Sequence, residues 1–338
     1  MPAVKAYLRR ACDDIMRAAQ LAACLEVSGT PKPGNVHRTF DYPDTRFEHF
    51  LAGGVALGPP TRAVALRGVR CGLREVAEPM VGIGRGVKAM VSEVKRWHRG
   101  GNTHLGTCLL FAPLAAGAGY VAAAHGRFEP GSLRQATVRL MERTTVEDSV
   151  YIYAAIAEAG GSALGKVSDT GAPDVRDESA SRKLRQRRLT LWTAMWNASR
   201  WDNVAREWPT GMKTSFEIGY PTLLETMRET GDINVATVHA FLAILATEPD
   251  TFIARKVGLR KTENVEEAVK IGLTEASAIS EEAQAILREG GLTSRRGREA
   301  LARLDEKLRK SKGLLNPGSS ADLTASSLFI ALLCGLRF

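Results

Sequence analysis

The chain has 338 residues, 44% of them hydrophobic and 25% charged, so it is long enough and apolar enough to bury a large core. Its formal net charge of +9 suits nucleic acid, an acidic lipid or a polyphosphate ligand, but no segment resembles a recognition helix, RNP motif or zinc finger. Its five cysteines lack CxxC or CxH spacing, which argues against a disulfide framework or a zinc site and favours a reducing, cytoplasmic location.

Apolar residues recur at helical spacing along the chain, and no segment shows convincing strand alternation. Aromatic residues make up only 6% of the chain, and its apolar residues are largely Ala, Leu and Val, a composition that favours close-packed helices. No linker is long enough, or rich enough in Gly and Ser, to separate two domains. We therefore predict one all-α domain over residues 1–338, built as a bundle of roughly a dozen helices.

The predicted helices run from a cap at Asp13 or Asp14 to about Val27, then over residues 44–57, 61–76, 87–97, 105–124, 133–143, 146–159, 179–201, 234–247, 265–288, 294–310 and about 316–336. The helix over residues 105–124 has no charged residue and is long enough to span a membrane. Its Ala, Gly and Pro113 favour a buried helix at the centre of the bundle instead. Residues 213–221 are expected to interrupt the helices, and the polar residues 169–177 are the best candidate for a surface lid.

An irregular loop follows the first predicted helix. Two prolines and two glycines, at positions 31, 33, 29 and 34, prevent a helix there and fix the backbone before any ligand binds. The loop carries two cations, an amide and an imidazole: Lys32, Asn35, His37 and Arg38. Such a rigid, basic loop suits polyanion binding, although a connection between helices with incidental polar residues is an equal alternative.

Other polar segments stand where predicted helices begin. Asn102, Thr103 and His104 precede the apolar helix, whose free N–H groups could bind an anion. Glu147 and Asp148 fall in the first turn of another helix, where they either complement the helix dipole or bind magnesium. Together these segments offer cations, carboxylates, hydroxyls and glycines, which suits a phosphate-bearing ligand with a divalent metal.

Five segments resemble motifs of the triphosphoribosyl-dephospho-coenzyme A synthase family. In chain order they are TPKPGNVHR at 30–38, GNTHLG at 101–106, TTVED at 144–148, PDTFIARK at 249–256 and NPGSSADL at 316–323. The resemblance implies an all-helical fold. It also implies a Mg²⁺-dependent reaction that joins ATP to 3′-dephospho-coenzyme A, releases adenine, and leaves a triphosphoribosyl group on the ribose 2′-hydroxyl of the acceptor.

The implied chemistry suggests a task for each candidate residue. An intact triphosphate needs cations and magnesium. The expected phosphate ligands are Lys32 and Arg38, followed by Arg255 and Lys256. The expected metal ligands are Glu147 and Asp148. Further ligand-binding candidates are Asn35, Asn102, Thr103, Ser319 and Ser320.

Breaking the bond between ribose and adenine develops positive charge on the sugar, which a nearby carboxylate would stabilise. We expect Glu217 in this role, with Asp322 or Asp250 as alternatives. The acceptor hydroxyl needs a base and the departing adenine needs a proton. His104 or His37 could move that proton, because imidazole titrates near neutral pH. Each histidine could equally cap a helix or pack in the core.

The sequence also departs from the family motifs. Leu105 stands where many transferase members carry Lys, and residues 214–219 replace an Arg-Gly-Glu-Ala segment. The chain therefore looks closer to a divergent branch, common in archaea, whose acceptor is either dephospho-coenzyme A or a related molecule. Two other functions stay open: Mg²⁺-dependent phosphoryl or nucleotidyl transfer from ATP to another metabolite, and a basic helical module that binds nucleic acid. A homo-oligomer is also left open. The family interpretation requires four distant residues to meet at one pocket: Lys32, Asn102, Asp148 and Asp322.

Overall fold

A computed structural model describes residues 2–160, 165–167 and 171–338. Within these ranges the chain forms helices joined by loops and turns, and nothing longer than an isolated β-bridge pairs two segments. The prediction of an all-α fold is confirmed. The predicted lid at 169–177 begins in residues that lie outside the described ranges, so only its part from Gly171 onward is described.

Sixteen α-helices occur in the described ranges. In chain order they are α1 (Pro2–Ser28), α2 (Phe47–Ala56), α3 (Gly58–Gly72), α4 (Ile83–Trp97), α5 (Leu105–Ala124), α6 (Pro130–Glu142), α7 (Val146–Glu158), α8 (Ala180–Gln186), α9 (Leu191–Ala198), α10 (Asn203–Arg206), α11 (Tyr220–Thr230), α12 (Ile233–Thr247), α13 (Thr251–Gly258), α14 (Val265–Arg288), α15 (Arg295–Arg309) and α16 (Gly318–Leu333). The number exceeds the predicted dozen partly because short helices such as α10 and α13 have too few turns to show hydrophobic periodicity, and partly because the helix predicted over residues 179–201 is divided into α8 and α9.

The first helix is longer than predicted. α1 begins at Pro2, so Asp13 and Asp14 lie inside it and do not cap it. Asp14 pairs with Arg17 one turn later, at 2.8 Å, and Asp13 pairs with Arg62 of α3. Both carboxylates therefore form ion pairs from within the helix, which the preference of Asp for helix caps does not reveal.

The predicted helix over residues 179–201 is two helices in the structure. Arg188 has a φ of 53°, in the left-handed region, and it separates α8 from α9. α9 begins where the Thr190 hydroxyl accepts a hydrogen bond from the N–H of Thr193. An apolar period that continues across a single left-handed residue conceals such a break.

The segment over residues 213–221, predicted to interrupt the helices, is itself helical. Its part Ser215–Gly219 is a π-helix that runs directly into α11. Gly219 lies so close to α16 that an added Cβ would be 2.0 Å from the Ser327 hydroxyl oxygen. The wide π turn and the glycine let this segment pack against α16 instead of leaving the bundle as a loop.

α5 runs through the largest hydrophobic cluster. By length and composition it could cross a membrane, but 83% of its most apolar 18-residue stretch is buried in the described structure, as expected for a central core helix. α3 packs closely against it because a glycine of each helix faces the backbone of the other. A Cβ on Gly68 or Gly119 would be 2.1 or 2.0 Å from a carbonyl oxygen of the facing helix.

A second hydrophobic cluster joins α12, α13, α14 and α15, with Phe241 and Ile279 among its buried members. α16 belongs to both clusters, through Leu328 in the first and Ala321 in the second. The helices therefore form a single globular domain. The last turn of α1, the loop after it and the first turns of α5, α13 and α16 meet between the two clusters.

Candidate active site

A cavity of about 840 Å³ opens between the two hydrophobic clusters, within the size range of small-molecule sites. Its polar lining comes from α1, α13, the loops before α2 and α5, and the start of α16, and includes Glu26, Asn35, Asn102, His104, Arg255 and Asp322. Its apolar lining comes mainly from α7 and α9, and includes Ile152, Ile156, Leu191 and Met195. Such a mixed lining suits a ligand that is itself partly apolar and partly charged.

Of the four residues predicted to meet at one pocket, two line the cavity. Asn102 and Asp322 line the cavity, and Asn102 also caps α5 by accepting a hydrogen bond from the N–H of Leu105 at 3.1 Å. Lys32 lies behind the cavity lining, close enough to Asp322 for the two charges to interact. Asp148 is not among the lining residues.

Lys32 takes part in a buried polar chain beneath the cavity. Its ammonium group pairs with the Glu26 carboxylate and donates to the Asn35 side-chain oxygen at 3.2 Å, and Asn35 donates to the Asn316 side chain at 2.9 Å. Lys32 is 0% exposed, so burial lowers its pKa while the Glu26 carboxylate opposes that change, and burial raises the pKa of Glu26. A buried ammonium group needs such a partner, so Lys32 holds Glu26 and Asn35 in place. The prediction that Lys32 binds a ligand phosphate is therefore wrong.

Asp322 faces the first turn of α5. Its Oδ1 accepts a hydrogen bond from the Thr107 hydroxyl at 2.6 Å, and Gly106 makes room for it, since a Cβ there would be 2.0 Å from Oδ2. The anion that we predicted at the start of α5 is therefore a carboxylate of the chain itself. Burial raises the pKa of Asp322 to about 7, against the effect of the Thr107 hydrogen bond, so this carboxyl group exchanges its proton near neutral pH.

His104 is buried in the cavity wall between Phe50 and Gly53. Its ring centroid is 5.5 Å from that of Phe50, and a Cβ on Gly53 would be 2.6 Å from the imidazole ring. The His104 Nδ1 lies 2.8 Å from the Thr103 hydroxyl oxygen. Burial lowers the pKa of His104 to about 3, so the ring is neutral at neutral pH and does not titrate in the range that we predicted.

Arg255 and Lys256 form a basic patch in the cavity together with Lys312. Both stack on the Phe252 ring, at 5.2 and 4.2 Å from its centroid. One terminal nitrogen of Arg255 lies 3.4 Å from the Asp202 carboxylate, whereas its buried Nε has no hydrogen-bond partner among the described residues. Burial and the neighbouring Arg255 lower the pKa of Lys256 to about 8. Two adjacent cations with an unused donor are the features of an anion-binding site.

The two serines predicted to bind ligand differ in position. Ser319 lines the cavity, with its hydroxyl 3.4 Å from that of Thr251. Ser320 donates both its N–H and its hydroxyl to one oxygen of Asp250, at 2.7 and 2.8 Å, and the other Asp250 oxygen accepts the N–H of Phe252. Asp250 therefore joins the starts of α13 and α16, and its oxygens are not available to a sugar.

His37 and Arg38 hold the loop and lie outside the cavity lining. His37 is buried, with its Nδ1 2.9 Å from the Thr30 hydroxyl and its Nε2 2.8 Å from the Arg309 guanidinium. Arg38 is exposed and donates to the Asn234 side chain at 2.8 Å. The loop is fixed as expected, but its imidazole and guanidinium bind other parts of the chain.

Glu147 and Asp148 serve the start of α7. Asp148 accepts the N–H of Gly84 and the N–H of Thr145, both at 2.8 Å, and Glu147 is half-exposed and pairs with Arg185 at 2.7 Å. In the part of the chain that the structure describes, no three His, Cys, Asp or Glu side chains are grouped closely enough to hold a metal ion. The helix-start alternative therefore accounts for both acids, and neither brings a metal ligand to the cavity.

Glu217 lies away from the cavity lining. It stands on the π-helix Ser215–Gly219, where its side chain is 45% exposed and pairs with Arg134 of α6 at 2.8 Å. Two opposite charges at a surface form such a pair without any ligand. Of the three carboxylates considered for the sugar, Glu217, Asp250 and Asp322, only Asp322 lines the cavity.

Four charged cavity residues, Glu26, Asp44, Asp202 and Lys312, are not among the candidates that the sequence offers. Glu26 continues the helical spacing of the buried residues Ile15, Ala19 and Ala22, so it lies on the apolar face of α1. A charged residue on an apolar helix face is unusual, and this position could have identified Glu26 as a candidate. Asp202 caps α10 through its side chain. Nothing in the local sequence separates it from an ordinary helix cap.

Known proteins similar to this chain point to one family. A family model described as CitG: ATP:dephospho-CoA triphosphoribosyl transferase matches residues 12–337. The chain is 25% identical over 335 residues to the 2-(5''-triphosphoribosyl)-3'-dephosphocoenzyme-A synthase of Klebsiella pneumoniae. The matched region covers 94% of this chain and 90% of that protein. It is 30% identical over 179 residues, 52% of each chain, to a protein of Stutzerimonas stutzeri (strain A1501) that is provisionally given the same name. A crystal structure provisionally described as a triphosphoribosyl-dephospho-coA synthase from Archaeoglobus fulgidus is similar with a TM-score of 0.57 and 25% identity, over 85% of this chain and 100% of that chain.

Proposed function

Since the chain belongs to the CitG family and is an ATP:dephospho-CoA triphosphoribosyl transferase, we propose that the cavity is the place where ATP meets 3′-dephospho-CoA and where adenine is released. One observation carries the proposal. A buried carboxyl group with a pKa of about 7, Asp322, lines the same cavity as a cationic patch with an unused donor, Arg255 and Lys256. The reaction needs both kinds of group within the reach of one nucleotide.

Arg255 and Lys256 bind the triphosphate of ATP, with the exposed Lys312 beside them. The Arg255 guanidinium has an unused buried N–H, and phosphate oxygens are well suited to accept it. A bound phosphate anion raises the pKa of Lys256 again from about 8, so Lys256 meets ATP as a cation. These two residues replace Lys32 and Arg38, which bind other parts of the chain.

Asp44 and Asp202 are our candidates to hold Mg²⁺ on the triphosphate. Mg²⁺ commonly binds one or two carboxylates together with substrate phosphates and water. Both carboxylates line the cavity beside the phosphate ligands: Asp202 is 3.4 Å from Arg255, and the charge of Asp44 acts on Lys256. Bound there, the ion would offset the charge of the phosphates.

Asp322 is the carboxyl group at the reacting sugar. In the transfer the bond from the ATP ribose C1′ to adenine breaks, a bond from C1′ to the acceptor 2′-oxygen forms, the acceptor hydroxyl loses its proton, and adenine gains one. As a carboxylate, Asp322 stabilises the positive charge that develops at C1′ and accepts the hydroxyl proton. A pKa of about 7 keeps the ionised form available at neutral pH, and the Thr107 hydrogen bond orients it.

The apolar lining from α7 and α9 binds the less polar parts of the substrates. Ile152, Ile156, Leu191 and Met195 offer a surface for the adenine ring or the pantetheine arm. Leu105 lines the same cavity, so this departure from the family motif falls on the ligand-binding surface. We expect it to alter the preference among coenzyme A-like acceptors.

Incubation with ATP, Mg²⁺ and 3′-dephospho-CoA, followed by mass spectrometry, tests the proposal. We expect free adenine and an acceptor heavier by one triphosphoribosyl group, and neither should form when the acceptor is left out. ADP or pyrophosphate in place of adenine would instead support phosphoryl or nucleotidyl transfer to another metabolite.

We keep the cytoplasm as the proposed location. All five cysteines are free and three of them are buried, which suits a reducing compartment. Retention on heparin that falls steeply with salt and ignores ATP would instead favour the nucleic-acid alternative. A homo-oligomer stays a prediction, which sedimentation at several concentrations would test.

A further inference from the structure

A chain of three hydrogen-bonded side chains, His98, Thr103 and His104, ends in the cavity wall. The His98 Nε2 lies 3.1 Å from the Thr103 hydroxyl oxygen, and that oxygen lies 2.8 Å from the His104 Nδ1. His98 is buried, and its ring stacks on that of His49 at a centroid distance of 5.3 Å. This histidine chain connects the end of α4 to the cavity.

The backbone fixes the direction of these hydrogen bonds. The N–H of Gly100, which can only donate, lies 3.1 Å from the His98 Nδ1. A neutral His98 therefore carries its proton on Nε2 and donates it to the Thr103 oxygen. Among the described residues the two imidazoles are the hydrogen-bond partners of the Thr103 hydroxyl, so its single proton is left for the His104 Nδ1. Because Nδ1 is an acceptor, the proton of a neutral His104 is on Nε2.

We propose that His98, acting through Thr103, holds His104 in the Nε2–H tautomer, so that His104 presents a neutral hydrogen-bond donor to the substrate. The inference rests on the proposed function, because the acceptor is a lone pair on the bound nucleotide. The Nδ1 and Cε1 edge of the His104 ring faces Gly53, which leaves Nε2 as the ring nitrogen for a ligand. His104 is then the residue that touches substrate, and His98 and Thr103 are positioning residues.

A neutral donor suits this reaction better than an imidazolium. Positive charge develops on the sugar during the transfer, and a second positive charge beside it would be unfavourable. The ionisable groups that act on the chain all oppose protonation: His49 and Lys95 act on His98, and His98 acts on His104. Burial lowers the pKa of both rings and acts in the same direction.

Nitrogen-15 NMR of the histidine-labelled chain tests the tautomer without any turnover. We expect the His104 Nδ1 to resonate as an unprotonated nitrogen, and Nε2 as a protonated one, throughout the neutral pH range. Thr103→Val should remove this preference, whereas Thr103→Ser keeps a hydroxyl and should retain it. A His104 protonated on Nδ1, or an unchanged tautomer in Thr103→Val, would overturn the inference.

Kinetics separate positioning from mere packing. Thr103→Val should lower kcat/KM for adenine release about tenfold, and Thr103→Ser should stay within about threefold of the wild type. The Gln side chain of His98→Gln can accept the Gly100 hydrogen bond and donate one to Thr103, so this variant should retain activity. His98→Phe keeps the stack on His49 but makes neither hydrogen bond, so its kcat/KM should fall as far as that of Thr103→Val. Equal rates in all four variants would refute the positioning role. If the wild type releases no adenine, the proposed function fails, and the spectra still decide the tautomer.

Discussion

Replacement of Asp322 by asparagine should stabilise the fold at neutral pH while it abolishes transfer. Burial raises the pKa of this carboxyl group from an ordinary value of 3.8 to about 7. A group that binds its proton more tightly in the folded chain than in the unfolded chain stabilises the fold when it is protonated. That contribution is fully present below about pH 4 and is lost as the pH rises through about 7.

The pKa difference sets the size of the effect. A rise of about three pKa units corresponds to about 4 kcal/mol, at about 1.4 kcal/mol per unit. This is an upper value, because the variant also loses the attraction between Asp322 and the buried Lys32. Asparagine keeps an oxygen that can accept the Thr107 hydrogen bond. The difference in the free energy of unfolding between Asp322→Asn and the wild type should therefore grow with pH. Between acidic and mildly alkaline pH we expect it to change by about 2–4 kcal/mol in favour of the variant.

Urea unfolding of both chains at a series of pH values measures this gain. The matched control is Asp14→Asn, the same change at an exposed carboxylate, which should show no comparable gain. Adenine release should fall at least about a hundredfold in Asp322→Asn and stay unchanged in the control. A stability difference that does not grow with pH would refute the assigned pKa, and retained adenine release would refute the assigned role.

Three further changes test other parts of the site. Arg255→Gln should raise the KM for ATP about tenfold or more, because a charge-assisted hydrogen bond to phosphate is lost, whereas Arg38→Gln should leave it unchanged in steady-state kinetics. Glu217→Gln should leave kcat and KM within about twofold of the wild-type values, because the Glu217 carboxylate forms a surface ion pair. A loss of adenine release beyond about tenfold would show instead that Glu217 belongs to the active site. Gly106→Ala should destabilise the fold by about 1–3 kcal/mol, because its Cβ would be 2.0 Å from a buried carboxylate oxygen. Thermal unfolding should show no such loss for Gly131→Ala, which has open space around it.

Local hydrophobic spacing predicted the helices where one face is buried over several turns. α5 was predicted to the residue because its apolar run is uninterrupted and starts after a polar segment. The break at Arg188 and the π-helix Ser215–Gly219 were not predictable in this way. A left-handed residue leaves the apolar period intact, and the π turn depends on contact with α16.

The motifs located part of the cavity, but they did not show what each side chain contacts. Asn102, Arg255 and Asp322 line the cavity because polar segments at helix starts converge there. Lys32 was misassigned because a cation in a rigid loop looks the same in sequence whether its partner is a ligand or a buried carboxylate. Asp148 follows a Thr by three residues, a capping-box spacing that favoured the helix-start role.

A crystal structure of the chain with ATP and Mg²⁺ bound would test most directly whether one cavity between the two hydrophobic clusters holds the nucleotide. We expect the triphosphate within hydrogen-bond distance of Arg255 and Lys256, with the ribose beside Asp322. A triphosphate bound at Arg38 on the outer side of the loop, or at the surface around Glu217, would contradict this.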